Sequence, residues 1–211
     1  MVIVNAKARI TDGTLGVTTR KAQVVGVILT TNKHSIRADY VKSNCYDYYI
    51  EGCPPQNEEG TLDACEILVN YLNQLTDQPT FLSPYVVSHK YLDALAQRVD
   101  KNQQPLSIQV VRAVASDKFW HALAKQKIFS KVYNLTKASE LLVEAINKKL
   151  GIPEENRSEI VLLLDAVTTP FLSFRGIIDN FIQQYTKWML QLGFQEIWIV
   201  GPSPTMTHRL V

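Results

Sequence analysis

The sequence predicts an α/β protein: a mixed sheet flanked by helices, closing in a parallel strand, helix, strand unit at the C-terminus. Two observations carry this. The runs "EIVLLLDA" and "EIWIVGP" are apolar at successive positions, as in strands covered on both faces. Between them Phe174, Ile177, Ile178, Phe181, Tyr185, Trp188, Met189 and Leu192 recur at helical spacing and stop at Gly193. A strand, a helix with so wide an apolar stripe and a second strand make a parallel, right-handed crossover.

The remaining elements follow in chain order. The first sixty residues are rich in Thr, Val, Tyr and Gly, carry turn signals at Asp12-Gly13 and Asn32-Lys33, and are expected to be mainly extended. In "TLDACEILVNYLNQL", Leu62, Cys65, Leu68, Val69, Leu72 and Leu75 predict a helix ended by Asp77 and Pro79. "SHKYLDALAQRV" predicts a second helix from Ser88, with Tyr91, Leu92, Leu95 and Val99 on one stripe. "LSIQVVRAVA" is the next strand and "SDKFWHALAKQ" a short helix capped by Ser116. A longer helix starts at the Thr136 cap and ends before Gly151 and Pro153. With 211 residues and 46% apolar side chains, the expectation is a single α/β domain, 1–211, with a more extended N-terminal part, 1–58.

Charge and cysteine usage narrow the function classes. Twenty-two basic and 20 acidic residues give a net charge of +2, so no global phosphate-attracting field exists and partners must be sought in local patches. No apolar run is long enough for a membrane span and the start lacks the basic and apolar regions of a signal peptide, which predicts a cytoplasmic protein that avoids membranes. Cys45, Cys53 and Cys65 are odd in number and lack CxxC spacing, so reduced thiols are expected.

Several candidate sites arise from the residues themselves. Neither GxxxxGK[ST], GxGxxG nor GxSxG is present, and His34, His89, His121 and His208 lie in unrelated contexts. Ligands of open parallel sheets favour loops after the carboxyl ends of strands, so Asp165, Thr168, Thr169, Ser203, Thr205 and His208 either line one crevice or merely terminate strands. Residues 105–158 contain nine basic and five acidic side chains, with Phe119, Trp120, His121, Phe129 and Tyr133 interleaved. That pattern suits a nucleic-acid surface or a packed core with a solvated lysine face. In "CYDYYIEGCPP", alternation puts Asp47, Tyr49, Glu51 and Cys53 on one face, and a hairpin with the preceding "RADYVKS" could bring Asp39 near Glu51. Two carboxylates on adjacent strands can hold Mg2+ and leave positions for water and a phosphate.

The order "RADYVKS", "DYYIEGC", "EEGTLDACEILVNYLNQL" resembles the Asp, strand, Glu, helix succession of PD-(D/E)XK restriction-endonuclease-like proteins. The resemblance implies a nuclease-like core acting on nucleic acid by Mg2+-dependent phosphodiester hydrolysis, with Asp39 and Glu51 as catalytic metal ligands. Gln109, in "SIQVV", is a second degenerate match to the acidic position. The lysine of the pattern is missing: Cys53 follows Glu51 and Val111 follows Gln109 at its place, no (D/E)xK triplet exists, and Glu155-Asn156-Arg157 is the only acid-x-Arg. Such a lysine orients the attacking water and stabilises developing charge, so its loss points to a degenerate enzyme. The second reading is a non-catalytic protein that binds a protein partner or forms a homodimer, since nine Tyr, seven Phe and three Trp accompany a near-zero net charge.

Overall fold

The computed structural model describes residues 26–30, 35–42, 45–51, 57–113, 128–132, 135–167, 169–201 and 204–211; for 26–51, 57–59, 128–132, 170 and 171 the description is of the backbone. Where the sequence leads to one domain, these residues fall into two compact units, Met1–Pro54 with Ser116–Asn134, and Pro55–Ala115 with Leu135–Val211. The reason lies in a strand from mid-sequence that completes the N-terminal sheet.

In the first unit, the β-branched and aromatic segments pair as expected. Strands β1 (Gly26–Thr30), β2 (Ser35–Lys42) and β3 (Cys45–Glu51) form an antiparallel meander. Strand β7 (Ile128–Val132) adds antiparallel to β3, giving the order β1-β2-β3-β7. A register shift between Tyr40 and Lys42 leaves one extra residue on β2.

The second unit is α/β with a six-stranded mixed sheet flanked by helices, ordered β10-β9-β8-β6-β5-β4. Its centre is β6 (Leu106–Arg112), β8 (Val161–Asp165) and β9 (Glu196–Val200), which run parallel and are buried almost throughout. The short strands β4 (Tyr85–Val86) and β5 (Ala94–Ala96) extend one side and β10 (Thr207–Arg209) the other, all by antiparallel pairing. Helix α1 (Asn57–Gln74) covers one face: its Ala64, Cys65, Leu68 and Val69 pack with Ile108, Val110, Val161, Leu163, Trp198 and Val200 in one apolar cluster. Each fully buried Leu or Ile there contributes about 2 kcal/mol of burial free energy. Alternation turns Gln109, Val111, Leu162, Leu164, Ile197 and Ile199 to the opposite face. The crossover helices α2 (Leu135–Asn147) and α4 (Arg175–Leu190) belong to that side, with Leu142, Ile146, Ile178 and Phe181 fully buried.

Helix boundaries obey local chemistry. Helix α4 ends near Gly193, whose φ of +78° is the left-handed conformation that glycine adopts without strain. A short helix, α3 (Glu154–Arg157), precedes β8. The helix predicted from Ser88 does not form. Residues 94–96 instead pair with β6, and burial alternates at Ala94, Leu95 and Ala96 with the period of a strand. Val99, placed on the predicted stripe, is 53% exposed. The short helix predicted at 116–126, the turn at Asp12-Gly13 and the basic aromatic segment around Trp120 lie outside the described residues. No helix among the described residues is long and apolar enough to cross a membrane.

Candidate functional site

The densest polar constellation inside the second unit joins β5 to β6. Asp93 directly precedes β5, and its backbone N–H donates to the Ile108 carbonyl at 2.9 Å. This places its carboxylate over the next strand, where Oδ2 accepts the Val110 N–H at 2.8 Å and a bond from Gln109 Nε2. Gln109 is itself buried and also donates to the Val110 carbonyl at 3.3 Å. The pair is thus woven into the sheet, with one carboxylate oxygen serving two donors.

Two further groups respond to this carboxylate. Burial lowers the pKa of the half-buried Lys149 ammonium, and the charge on Asp93 works against that shift. The buried Cys65 thiol is pushed far up, first by burial and then by Asp93, Asp165 and Glu66, so it stays protonated and inert. Val111, two residues after Gln109, is buried and apolar where the nuclease pattern has its lysine. Among the described residues no three His, Cys, Asp or Glu side chains gather as a metal-binding group.

A second constellation occupies the carboxyl edge of the parallel strands. Arg112, Asp165, Val200 and Thr207 are successive register partners across β6, β8, β9 and β10, so they share the α1 face. Asp165 is buried; its Oδ1 accepts the Val167 N–H at 2.9 Å, and Arg112 Nε stands 3.8 Å from Oδ2. Burial raises its pKa to about 6, against the Val167 bond and Arg112, while Asp63 on α1 adds to the rise.

Of the two readings of the loops after β8 and β9, a shared crevice or strand termination, the described side chains follow the second. His208 follows Thr207 and therefore points to the other face, where its Nε2 lies 2.8 Å from the Ser173 carbonyl and burial lowers its pKa. Thr169 is buried, with its hydroxyl donating to the Ala113 carbonyl, and Thr205 is exposed. Thr168 and Ser203 lie outside the described residues. The topology explains this: β6, β8 and β9 advance in one direction across the sheet, so the reversal of strand order that opens a ligand crevice is absent. Gly201 fills the space instead, because a Cβ there would sit 2.8 Å from Met206 Cβ and closer still to the Ser173 hydroxyl.

Arg157, the end of the only acid-x-Arg triplet, has a structural task. Its guanidinium donates to the carbonyls of Ile152 at 2.7 Å, Leu192 at 2.9 Å and Leu150 at 2.6 Å. All three bonds tie loops at the amino end of β8 and β9. An open cleft of about 610 Å³ lies at that end, lined by Arg98, Gln104, Ser107, Glu159 and Gln195 among others. Arg98 is already engaged, with Nε bonded to the Gln104 carbonyl at 3.1 Å and its guanidinium over the Phe81 ring.

Asp39 and Glu51 belong to the first unit and Gln109 to the second. Strands β2 and β3 are antiparallel as anticipated, and pairing with alternation puts Asp39 and Glu51 at positions of the same sheet face. Their register, however, sets Asp39 opposite Asp47 and Glu51 opposite Ser35. Four residue pairs at about 3.4 Å each separate their backbones by about 14 Å along the strands. A shared ion needs ligand oxygens about 2.1 Å from one point. The register partner of Asp39 is instead Asp47.

Compared with family models, curated proteins and solved structures, the chain matches none. The residue that sequence reasoning passed over is Asp93, hidden inside the segment expected to be helical. The available signal was weak: an aspartate ahead of the small pair Ala94 and Ala96, sixteen residues before the Gln109 it bonds, is visible only once β5 is paired with β6.

Proposed function

We propose that this chain is a nuclease-like α/β protein that works by binding and does not hydrolyse phosphodiesters. The observation that supports it most is the Asp93–Gln109 pair. Gln109 is the degenerate match to the acidic position, yet it donates to the carboxylate of Asp93, just before the neighbouring strand β5, and the Val110 N–H takes the same oxygen. A ligand pair for Mg2+ needs lone pairs turned outward and a cation to orient water; here Gln109 is a donor where a ligand would be an acceptor, Asp93 Oδ2 is taken by two donors of β6, and Val111 stands at the place of the lysine. Binding to protein is the favoured mode, since Leu75, Leu82, Tyr85, Val86 and Val99 expose large apolar side chains in and beside the outermost strand β4.

The competing reading is Mg2+-dependent hydrolysis of nucleic acid at Asp39, and one observation favours it: Asp47 sits directly opposite across the β2–β3 ladder. One assay separates the two. Purified protein is incubated with plasmid and single-stranded DNA in Mg2+ or Mn2+, beside Asp39→Asn and Asp93→Ala variants. The binding reading expects no cleavage by any of them; metal-dependent cleavage lost in either variant overturns it. Light scattering after size-exclusion chromatography then tests self-association, and a monomer at every concentration restricts the partner to a different protein.

A further inference from the structure

The cleft at the amino end of β6, β8 and β9 draws its polar side chains from four segments: Arg98 beyond β5, Gln104 and Ser107 around the start of β6, Glu159 before β8 and Gln195 before β9. Arg98 and Glu159 are the charged groups among its described lining residues. Among the described residues these two make no ion pair with each other or with any other side chain, and the side chains of Gln104, Ser107 and Gln195 hydrogen-bond to no protein group. Arg98 is nevertheless held in place. Its Nε donates to the Gln104 carbonyl at 3.1 Å and its guanidinium carbon lies 4.6 Å from the centre of the Phe81 ring, which leaves its two terminal NH2 groups as donors.

This donor and acceptor set selects a ligand chemistry. A phosphate would meet a single cation offset by a carboxylate, and a nucleobase would find no aromatic side chain among the described lining residues on which to stack. A molecule carrying both charges satisfies Arg98 and Glu159 together, and peptide groups match the amides of Gln104 and Gln195 and the hydroxyl of Ser107. Length agrees: two or three residues span about 7–10 Å at about 3.4 Å each, which brackets the edge of a cube of 610 Å³. We propose that this cleft binds a short peptide with free ends, its carboxylate on Arg98 and its ammonium on Glu159. The site lies apart from the Asp93–Gln109 pair and stands whichever way the cleavage assay falls.

The probe is triglycine, which presents both ends and two peptide groups without side chains, followed in proton–nitrogen NMR spectra of the full chain beside its N-acetyl and C-terminal amide forms. Expected are saturable shifts at the backbone amides of Ser107, Glu159 and Gln195 and at the side-chain NH2 groups of Gln104 and Gln195. Acetylation and amidation should each raise the Kd about fivefold, the upper range for one solvent-accessible ion pair. Glu159→Gln should weaken triglycine by the same factor and abolish the effect of acetylation while keeping that of amidation, and Arg98→Gln should do the reverse. The absence of saturable shifts at these amides, equal affinity for the three probes, or an acetylation effect that survives in Glu159→Gln overturns the proposal. Inorganic phosphate that binds the same amides as tightly as triglycine overturns it too. If Arg98→Gln does not fold, the three probes on wild type and on Glu159→Gln, a change at an exposed residue, decide the matter.

Discussion

Replacing Asp93 by Ala removes the acceptor for two buried donors at once. Val110 N–H loses its 2.8 Å partner, and Gln109 Nε2 keeps only the 3.3 Å contact with the Val110 carbonyl. A buried donor left unpaired costs about 1–3 kcal/mol, so the Asp93→Ala variant should lose about 2–4 kcal/mol of stability. Replacing Gln109 by Leu as well removes one of the orphaned donors, so the double variant should be less unstable than the sum of the single ones by about 1–2 kcal/mol. Urea midpoints followed by far-ultraviolet circular dichroism and tryptophan fluorescence measure all three proteins, and agreement of the two probes checks that the two units unfold together. A change below about 0.5 kcal/mol in Asp93→Ala would refute the reasoning, because a surface-like response means that the carboxylate does not serve the sheet. In that case the pair would be free for ligand chemistry and the binding-only reading would fall with it.

Three other perturbations follow from the same coordinates. A folded-state pKa raised from 3.8 to about 6 means that ionising Asp165 destabilises the fold, with the penalty absent below pH 3.8, growing through that window and complete above pH 6. Asp165→Asn should therefore raise stability by about 3 kcal/mol at pH 8 and by less than about 1 kcal/mol at pH 4, read as the difference in urea midpoint from wild type. Arg157→Lys cannot reproduce the fork that reaches the carbonyls of Leu150, Ile152 and Leu192, and should cost about 2–4 kcal/mol in thermal denaturation despite keeping the charge. Gly201→Ala drives a methyl group against Met206 and Ser173, and should lower stability by about 1–3 kcal/mol, measured by the same melts.

How far the fold was legible depended on whether a local pattern had one interpretation. The unbroken apolar runs of β8 and β9 and the long stripe of α4 admit one reading each, and Gly193 marks the helix end through its backbone freedom. Residues 88–99 admit two, because Tyr91, Leu92, Leu95 and Val99 fit a helix while Ala94 and Ala96 fit a strand. Pairing with β6 decides between them, and that contact is distant in sequence. Asp93 was lost with that choice.

The candidate site was less legible for a related reason. Alternation tells which face Asp39 and Glu51 share, but not the offset between the strands, which the register with its shift between Tyr40 and Lys42 fixes. A hairpin read from composition carries no such offset. For Asp165, position at a strand end was visible in the run "VLLLDA", whereas burial beneath α1 and the nearness of Asp63 are products of packing.

The late strand β7 has a consequence for how the chain can be taken apart. The polypeptide passes from one unit to the other three times, after Pro54, after Ala115 and after Asn134. No single cut releases either unit whole: stopping the chain anywhere before residue 128 leaves β3 without its outer neighbour and deprives β6 of β8. During synthesis the two sheets must therefore wait for each other's segments. Dissecting their separate properties requires a rearranged gene that rejoins the pieces of each unit, since a truncation series would produce only incomplete sheets.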